Sequence, residues 1–135
     1  MVRRRVVLKL TGFVKRKEGM SFEEFDHHWT NNHGPLLASL PIFKEKLIKY
    51  SQIHVRQTDM NSSLSKGLPM MMGYDGIMEA YAEKMEDFVA LFESEEYKSL
   101  VIPDEERFVD RSQFKMFIGY EEIHWDRDDD KSFSS

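Results

Sequence analysis

Cysteine is missing from all 135 residues of the chain. The sequence therefore excludes a disulfide framework, a thiolate nucleophile and a cysteine-ligated zinc ion. Catalytic chemistry must come from His, Asp, Glu, Tyr or Lys side chains. A chain without cysteine also suits a reducing compartment, and we expect a cytoplasmic protein.

Excess positive charge and long apolar runs are lacking as well. The formal net charge is -5 at pH 7, and the basic runs are short, Arg3 to Arg5 and Lys15 to Lys17. Because a nucleic-acid backbone or an anionic membrane binds a concentrated cationic face, we expect neither as a partner. The apolar run that follows Arg5, VVLKL, is interrupted by Lys9 and is too short for a membrane span or a signal peptide.

Motifs of several common enzyme classes are absent. The chain has no GxSxG, GxxxxGK or GxGxxG segment. It therefore lacks the motifs that are typical of serine hydrolases, P-loop enzymes and dinucleotide-binding enzymes. His33 lies five and six positions from His28 and His27, which does not place two ligands on one helical face as HExxH does. We therefore expect no metal ion. The segment GIMEAY also lacks the pattern of RNA-recognition modules.

Hydrophobic periodicity predicts four strands, two main helices and one short further helix, in a chain long enough for one domain. Strands are predicted over residues 6–14, 50–57, 76–81 and 114–120. Helices are predicted from residue 21 to about residue 36, over residues 85–92, and from residue 103 onward. Residues 59–73, which include three consecutive methionines, are predicted to form a long loop.

A capping box marks the start of the first helix. The Ser21 hydroxyl is placed to accept an unpaired backbone N–H, and the Glu24 side chain to reach back to the backbone of Ser21. Met20 and Phe25 are spaced as a hydrophobic staple. Near the other end, residues 34–35, Gly-Pro, are expected to break or kink the helix.

The element order β-α-β-β-α-β predicts a ferredoxin-like sandwich of the α+β class, with both helices on one face of a four-stranded antiparallel sheet. A second copy of the chain would cover the bare face, so we expect a symmetric homodimer. The domain is predicted to span residues 1–122. The acidic, serine-rich residues 123–135 are predicted to be a disordered or loosely packed tail.

The first helix carries candidate catalytic groups on one face. Asp26, Trp29 and His33 follow helical spacing, so the carboxylate and the imidazole are expected on the inward side with the indole between them. A histidine beside aromatic surface can exchange protons near neutral pH. Asp26 would orient that histidine or simply extend a polar edge. Alternatively, His33 is structural and bonds a backbone carbonyl.

The second strand carries a polar face made of Tyr50, Gln52 and His54. If that face looks toward the helices, these groups converge with His33 on one cavity. Alternatively, Tyr50 and His54 are partners at a dimer interface.

The roles expected for the other candidate side chains follow from their positions in the predicted strands, helices and loop. Phe25, Trp29, Gln52, Tyr81 and the methionine loop, represented by Met71, are candidate substrate contacts. His27 and His28 are expected to point into solvent, and His124 to close the dimer or the tail.

Three segments together resemble the EthD-domain family of dimeric α+β barrel proteins, over residues 6–120. They are MSFEEFDHHWTNNHGPL, YDGIMEAYAEKMEDFVALFESEEYKSLV and PDEERFVDRS. The family pattern W-x-x-x-H-x-P-L corresponds here to Trp29, His33, Pro35 and Leu36. The pattern D-E-x-x-F-x-D corresponds to Asp104, Glu105, Phe108 and Asp110.

The methionine-rich insertion before the third strand resembles fungal family members found with polyketide synthases. This resemblance implies a cofactor-free decarboxylase, dehydratase or cyclase that acts on an aromatic polyketide. In that hypothesis His33 moves the proton, and Asp26 or a backbone carbonyl sets its tautomer. Tyr50 and His54 would donate to the substrate oxygen. The alternatives are a cofactor-free monooxygenase for an anthrone or quinol, and a non-catalytic dimer that binds a ligand.

Overall fold

The computed structural model describes residues 3–128, except the side chains of residues 3–6 and 65. The described residues contain four β-strands, β1 (Arg3–Val14), β2 (Lys49–His54), β3 (Gly76–Ala82) and β4 (Lys115–Ile123). They form one sheet with the order β2-β3-β1-β4, in which all neighbouring strands are antiparallel. The predicted ferredoxin-like sandwich is confirmed, and each predicted strand lies within a few residues of its observed range.

Between the end of β1 and the start of β4, a part of the chain that the structure describes throughout, there are six α-helices. They are α1 (Phe22–His28), α2 (Gly34–Ser39), α3 (Pro41–Lys46), α4 (Gln57–Met60), α5 (Met85–Glu93) and α6 (Ile102–Phe108). The sequence analysis did not predict α3. None of the helices within residues 3–128 combines the length and the apolar character that a membrane span requires.

The first helix begins as predicted and continues past its glycine-proline pair. Ser21 and Glu24 form both hydrogen bonds of the capping box, each 3.1 Å long. Instead of a break, a π-helical turn (Trp29–His33) joins α1 to α2. The N–H of Gly34 donates to the carbonyl of Trp29, five residues earlier. Pro35 then lies in the first turn of α2, where its missing N–H is tolerated.

A second π-helical turn (Tyr97–Val101) leads into α6 in the same way. The N–H of Ile102 donates to the carbonyl of Tyr97, and Pro103 lies in the first turn of the helix that follows. π-helical turns are rare and occur often at functional sites. The first turn contains Trp29 and His33 of the W-x-x-x-H-x-P-L pattern, and the second ends three residues before Asp104, where the D-E-x-x-F-x-D pattern begins.

The register of the sheet decides which side chains face the helices. Directly opposed residues of an antiparallel pair point to the same face, so Leu10 and Ala80 share one face and Lys9 and Tyr81 share the other. Leu10 and Ala80 are buried against Phe88 of α5. The first face is therefore covered by helices, and the second is the bare face that the sequence predicted.

Trp29 occupies space that Gly76 leaves open. A Cβ atom added to Gly76 would lie 2.7 Å from Cη2 of Trp29 and 3.1 Å from the carbonyl oxygen of Ile53. The indole is 2% exposed and is part of a core cluster with Phe25 and Phe108. The buried position of Trp29 therefore requires that residue 76 of β3 has no side chain.

Replacing Gly76 by Ala is expected to lower the free energy of unfolding by about 1–3 kcal/mol, the usual effect of overpacking a core. Urea unfolding would measure it. Gly67→Ala is the matched control, because an added Cβ there meets no atom within 4 Å and the φ of Gly67 is -107°. Its effect should stay within about 0.5 kcal/mol. Equal stability of the two variants would contradict the tight fit.

The predicted loop at residues 59–73 is mostly irregular. It begins in α4 and contains one 3₁₀ turn, Ser63–Lys66. Met71 and Met72 are more than half exposed. Of the predicted tail, Ile123 still belongs to β4, and residues 129–135 lie outside the described residues.

Candidate active site

A cavity of about 380 Å³ lies between the helices and the covered face of the sheet. Apolar side chains make up most of its wall, among them Trp29, Phe108 and Met116. Five side chains with polar groups also line it: His33, Tyr50, Tyr97, Glu105 and Arg111. Mostly apolar walls with a few converging polar groups are typical of a site for a small organic molecule.

His33 is held by a carboxylate from the first turn of α6. Its ring is buried, and its Nδ1–H donates to Oδ2 of Asp104 over 2.8 Å. Because a carboxylate only accepts hydrogen bonds, the neutral ring keeps its proton on Nδ1 and its lone pair on Nε2. Burial lowers the pKa of His33, although Asp104 acts in the opposite direction. The neutral ring is therefore the favoured form near pH 7.

The free nitrogen of His33 faces the cavity. Among the described residues, Nε2 has no hydrogen-bond partner. Within the same residues, no side-chain nitrogen or oxygen is both fully enclosed and without a partner. The Nε2 atom must therefore reach open space, and the cavity is the space that His33 lines.

Asp104 also binds a second histidine. The Nε2–H of His28 donates to Oδ1 of Asp104 over 3.0 Å, and Asn32 donates to Nδ1 of His28 over 3.1 Å. Both imidazole rings pack against Phe108, with centroid distances of 4.6 and 5.0 Å. The expectation that His28 is solvated was wrong, because this side of α1 packs against α6. The neighbouring His27 is exposed, as expected.

Asp26 does not orient His33, so that prediction was wrong. The prediction assumed an uninterrupted α-helix, in which positions seven apart share a face. The π-helical turn between the two residues contains an extra residue and rotates His33 away from Asp26, toward α6. Asp26 instead accepts a hydrogen bond from Nδ1 of His54 over 2.5 Å.

Tyr50, Gln52 and His54 do face the helices, and only Tyr50 lines the cavity. Nε2 of His54 lies 2.9 Å from Oε1 of Gln52, an atom that only accepts, so donation from both ring nitrogens of His54 requires the imidazolium form. The Gln52 amide nitrogen donates to the Tyr50 hydroxyl over 3.2 Å. The same nitrogen donates to the Trp29 carbonyl, an atom that only accepts, which fixes the orientation of the amide. The His54 ring packs against Trp29 in a tilted arrangement, with ring centroids 4.6 Å apart.

This chain of hydrogen bonds prepares Tyr50 to act as a donor. Since its oxygen already accepts from Gln52, its own proton is available to the cavity. Burial raises the pKa of Tyr50 to about 12, so the hydroxyl keeps that proton at neutral pH. Asp26 and His54 act here through Gln52 and do not line the cavity themselves.

Glu105 is a cavity group that the sequence analysis did not select. The Tyr97 hydroxyl donates to its two carboxylate oxygens over 3.1 and 3.3 Å, and Nε of Arg111 lies 3.4 Å from Oε1. Burial raises the pKa of Glu105 to about 7, against the opposing effects of Tyr97 and Arg111. The D-E-x-x-F-x-D pattern was the available signal, since it puts Asp104 and Glu105 in the first turn of a helix.

The remaining predicted contacts are divided among different parts of the molecule. Trp29 lines the cavity, and Phe25 packs behind it in the core with a ring-centroid distance of 5.4 Å. Met71 lines a separate cavity of about 530 Å³. Tyr81 lies on the other face of the sheet, near the ammonium of Lys9. Within the described residues, no group of three or more His, Asp or Glu side chains could hold a metal ion.

The raised pKa of Glu105 predicts that stability depends on pH. The protonated carboxyl stabilises the fold fully below the ordinary pKa of 4.5, and this contribution is lost as pH rises toward about 7. At about 1.4 kcal/mol per pH unit, the loss amounts to at most about 3 kcal/mol. Urea unfolding from pH 4 to 8 should show that the wild type loses stability relative to Glu105→Gln. The exposed Glu106→Gln is the control, and parallel curves for all three proteins would contradict the prediction.

The sequence matches the protein family described as EthD domain over residues 17–112. A conidial pigment biosynthesis dehydratase EthD from Metarhizium robertsii is 30% identical over 122 residues, which cover 84% of this chain and 80% of that protein. A decarboxylase named claH from Passalora fulva is 30% identical over 119 residues, 85% of this chain and 76% of that protein.

Two solved structures have the same fold. An ethyl tert-butyl ether d (EthD) family protein from Bacillus halodurans has a TM-score of 0.60 and 20% identity, covering 85% of this chain and 98% of its own. A dimeric protein with a ferredoxin-like fold from Bacteroides fragilis has a TM-score of 0.56 and 9% identity, covering 91% and 100%.

Proposed function

The chain belongs to the EthD domain family, and we propose that it is a lyase that removes water or carbon dioxide from a polyketide intermediate, or closes a ring in one, through an enolate. The names of its relatives support this proposal, since they include both a dehydratase and a decarboxylase. The single observation that carries it is the position of His33. Asp104 holds Nδ1, which leaves Nε2 directed into a largely apolar cavity.

Enolate chemistry requires few catalytic groups. Loss of water from a β-hydroxy ketone, loss of carbon dioxide from a β-keto acid and aldol closure all develop negative charge on a carbonyl oxygen. One acid/base group and one donor to that oxygen suffice when water is excluded. The chemistry itself requires no cofactor.

The cavity supplies both groups on opposing elements. His33, at the end of the first π-helical turn, would take the proton from carbon or return it. Tyr50 on β2 would donate to the developing oxyanion. Trp29 and Phe108 offer apolar surface for the rings of an aromatic polyketide.

The same proposal includes a homodimer formed through the bare face of the sheet. On that face Phe117 is 59% exposed and Ile53 is 46% exposed. Ile77 and Phe13 link them across the sheet, because Ile77 is directly opposed to both Ile53 and Phe13 and the Phe13 ring lies 6.2 Å from the Phe117 ring. A contiguous apolar surface marks an association surface, and two-fold symmetry is the commonest arrangement. The likeness to a dimeric protein of the same fold supports this assignment. Sedimentation of the wild type and of Phe117→Lys would test it.

Mass spectrometry of purified protein with an aromatic β-keto acid and an aromatic β-hydroxy ketone tests the proposed function. We expect loss of carbon dioxide or water from at least one of them, with oxygen consumption at the background rate. Oxygen incorporation would instead establish a monooxygenase. Binding without any product would establish a ligand-binding dimer, and either result would overturn the proposal.

A further inference from the structure

The mechanism proposed above leaves one partly buried carboxyl group of the cavity without a role. The Glu105 side chain is 21% exposed and enters the cavity from the first turn of α6. Tyr97 and Arg111 satisfy its oxygens but leave an ionisable group inside mostly apolar walls. Burying such a group is unfavourable. A group that destabilises the fold at neutral pH and lies in a cavity is a candidate for function.

Glu105 lies close to the two groups already assigned. Asp104, its neighbour in α6, holds Nδ1 of His33, and both His33 and Glu105 line the cavity. Tyr50 lines the same cavity as Glu105. A substrate in the cavity would therefore have His33 and Glu105 as two separate proton-transfer groups around it.

We propose that Glu105 is a second catalytic residue, the acid that protonates the leaving hydroxyl group of a β-hydroxy ketone. The proposal rests on the lyase function proposed above and narrows it to dehydration of this substrate class. Carbon dioxide leaves as a neutral molecule and requires no acid, whereas hydroxide is a poor leaving group and does require one. A cavity with both a base and a separate acid therefore fits loss of water.

The protons and electrons balance over one turnover. Nε2 of His33 takes a proton from the carbon next to the carbonyl, and the electron pair of that bond forms the enolate. The enolate then forms the carbon–carbon double bond as the carbon–oxygen bond breaks, and the Glu105 carboxyl proton joins the departing oxygen. The products are an α,β-unsaturated ketone and water. Transfer of one proton from the His33 imidazolium to the Glu105 carboxylate restores the starting state.

The resting protonation states suit this division of roles. Burial lowers the pKa of His33 and raises the pKa of Glu105 to about 7, so a neutral base and a protonated acid coexist near neutral pH. The groups that face Glu105 are Tyr97 and Arg111, with Asp104 and Glu106 on its own helix. The negative charges of Asp104 and Glu106 raise the pKa of Glu105 and so favour its protonated form.

Dehydration of an aryl β-hydroxy ketone in D₂O separates the two roles. Formation of the unsaturated ketone would be followed by its absorbance, and deuterium at the carbon next to the carbonyl by mass spectrometry. Glu105→Gln keeps the size of the side chain and an acceptor for Tyr97. We expect it to lower dehydration by about 10²-fold or more while deuterium exchange through His33 persists. The exposed Glu106→Gln should retain wild-type rates of both processes.

The pH dependence of the dehydration rate is a second test of the role of Glu105. Dehydration by the wild type should fall as pH rises through about 7, because Glu105 loses its proton, and this fall should be absent from the residual activity of Glu105→Gln. Dehydration by Glu105→Gln at the wild-type rate would overturn the proposal. A wild type that decarboxylates a β-keto acid and leaves the β-hydroxy ketone unchanged would overturn it too, while the lyase function stands. A wild type that changes neither compound would overturn both.

Discussion

Replacing His33 by Asn should lower the rate of water or carbon dioxide loss by about 10²–10⁴-fold, the usual contribution of a general acid/base group. The Asn side chain amide can take the place of Nδ1–H as the donor to Asp104, but it has no equivalent of Nε2. The substitution therefore removes the group directed into the cavity and keeps the hydrogen bond that supports it. Rates of product formation under saturating substrate would measure the loss.

The control for this variant lies on the same helix. His27→Ala removes an exposed imidazole whose ring bonds only to Asn31 among the described residues. Its activity should match the wild type. If His33→Asn were folded, as judged by circular dichroism and thermal unfolding, and still turned over at the wild-type rate, His33 would be structural and the proposed chemistry would lose its base.

Replacing Asp104 by Asn should also lower kcat by about 10²–10⁴-fold, through the tautomer of His33. The carboxylate accepts from Nδ1, whereas the amide can donate to it and thereby favour the tautomer with the proton on Nε2. That tautomer presents a donor to the cavity where the mechanism requires a lone pair. Nitrogen-15 chemical shifts of the His33 ring would report which nitrogen carries the proton.

The variant Asp26→Asn tests whether Asp104, as the structure shows, or Asp26, as the sequence alone suggested, orients the His33 ring. Asp26 bonds to His54, so its loss should leave the His33 tautomer unchanged and reduce activity only through the orientation of Tyr50. We expect a decrease of less than about tenfold, the effect of one lost hydrogen bond. A change of the His33 tautomer in Asp26→Asn, with none in Asp104→Asn, would contradict the assignment.

Much of the fold could be predicted because it depends on neighbouring residues. The capping box of Ser21 and Glu24 is a contact between residues three apart, and the structure contains both of its hydrogen bonds. The alternation of β2 placed Tyr50, Gln52 and His54 on one face, and that face does look toward the helices. Period and capping are local properties, so they can be recognised without knowledge of the fold.

The partners of the site residues could not be predicted in this way. His33 and Asp104 are 71 positions apart, and the pair forms only because the first helix packs against α6. The π-helical turn at Trp29–His33 rotates the residues that follow it relative to their positions in a regular α-helix. Asp26 and His33 therefore lie on different faces, although their spacing in the sequence predicts a shared one. Burial of Glu105 likewise results from the meeting of α6, Tyr97 and Arg111.

Local sequence therefore specifies which faces the strands and helices present, through side-chain period, caps and turn residues. Packing between distant segments then selects which polar groups meet, and exclusion of water from that packing sets their pKa values. For this protein, the sequence was sufficient for the ferredoxin-like order of elements and for His33 and Tyr50 as candidates. Only the packed helices and sheet join His33 to Asp104 and bring Glu105 into the same cavity, because those contacts link segments that are far apart in the chain.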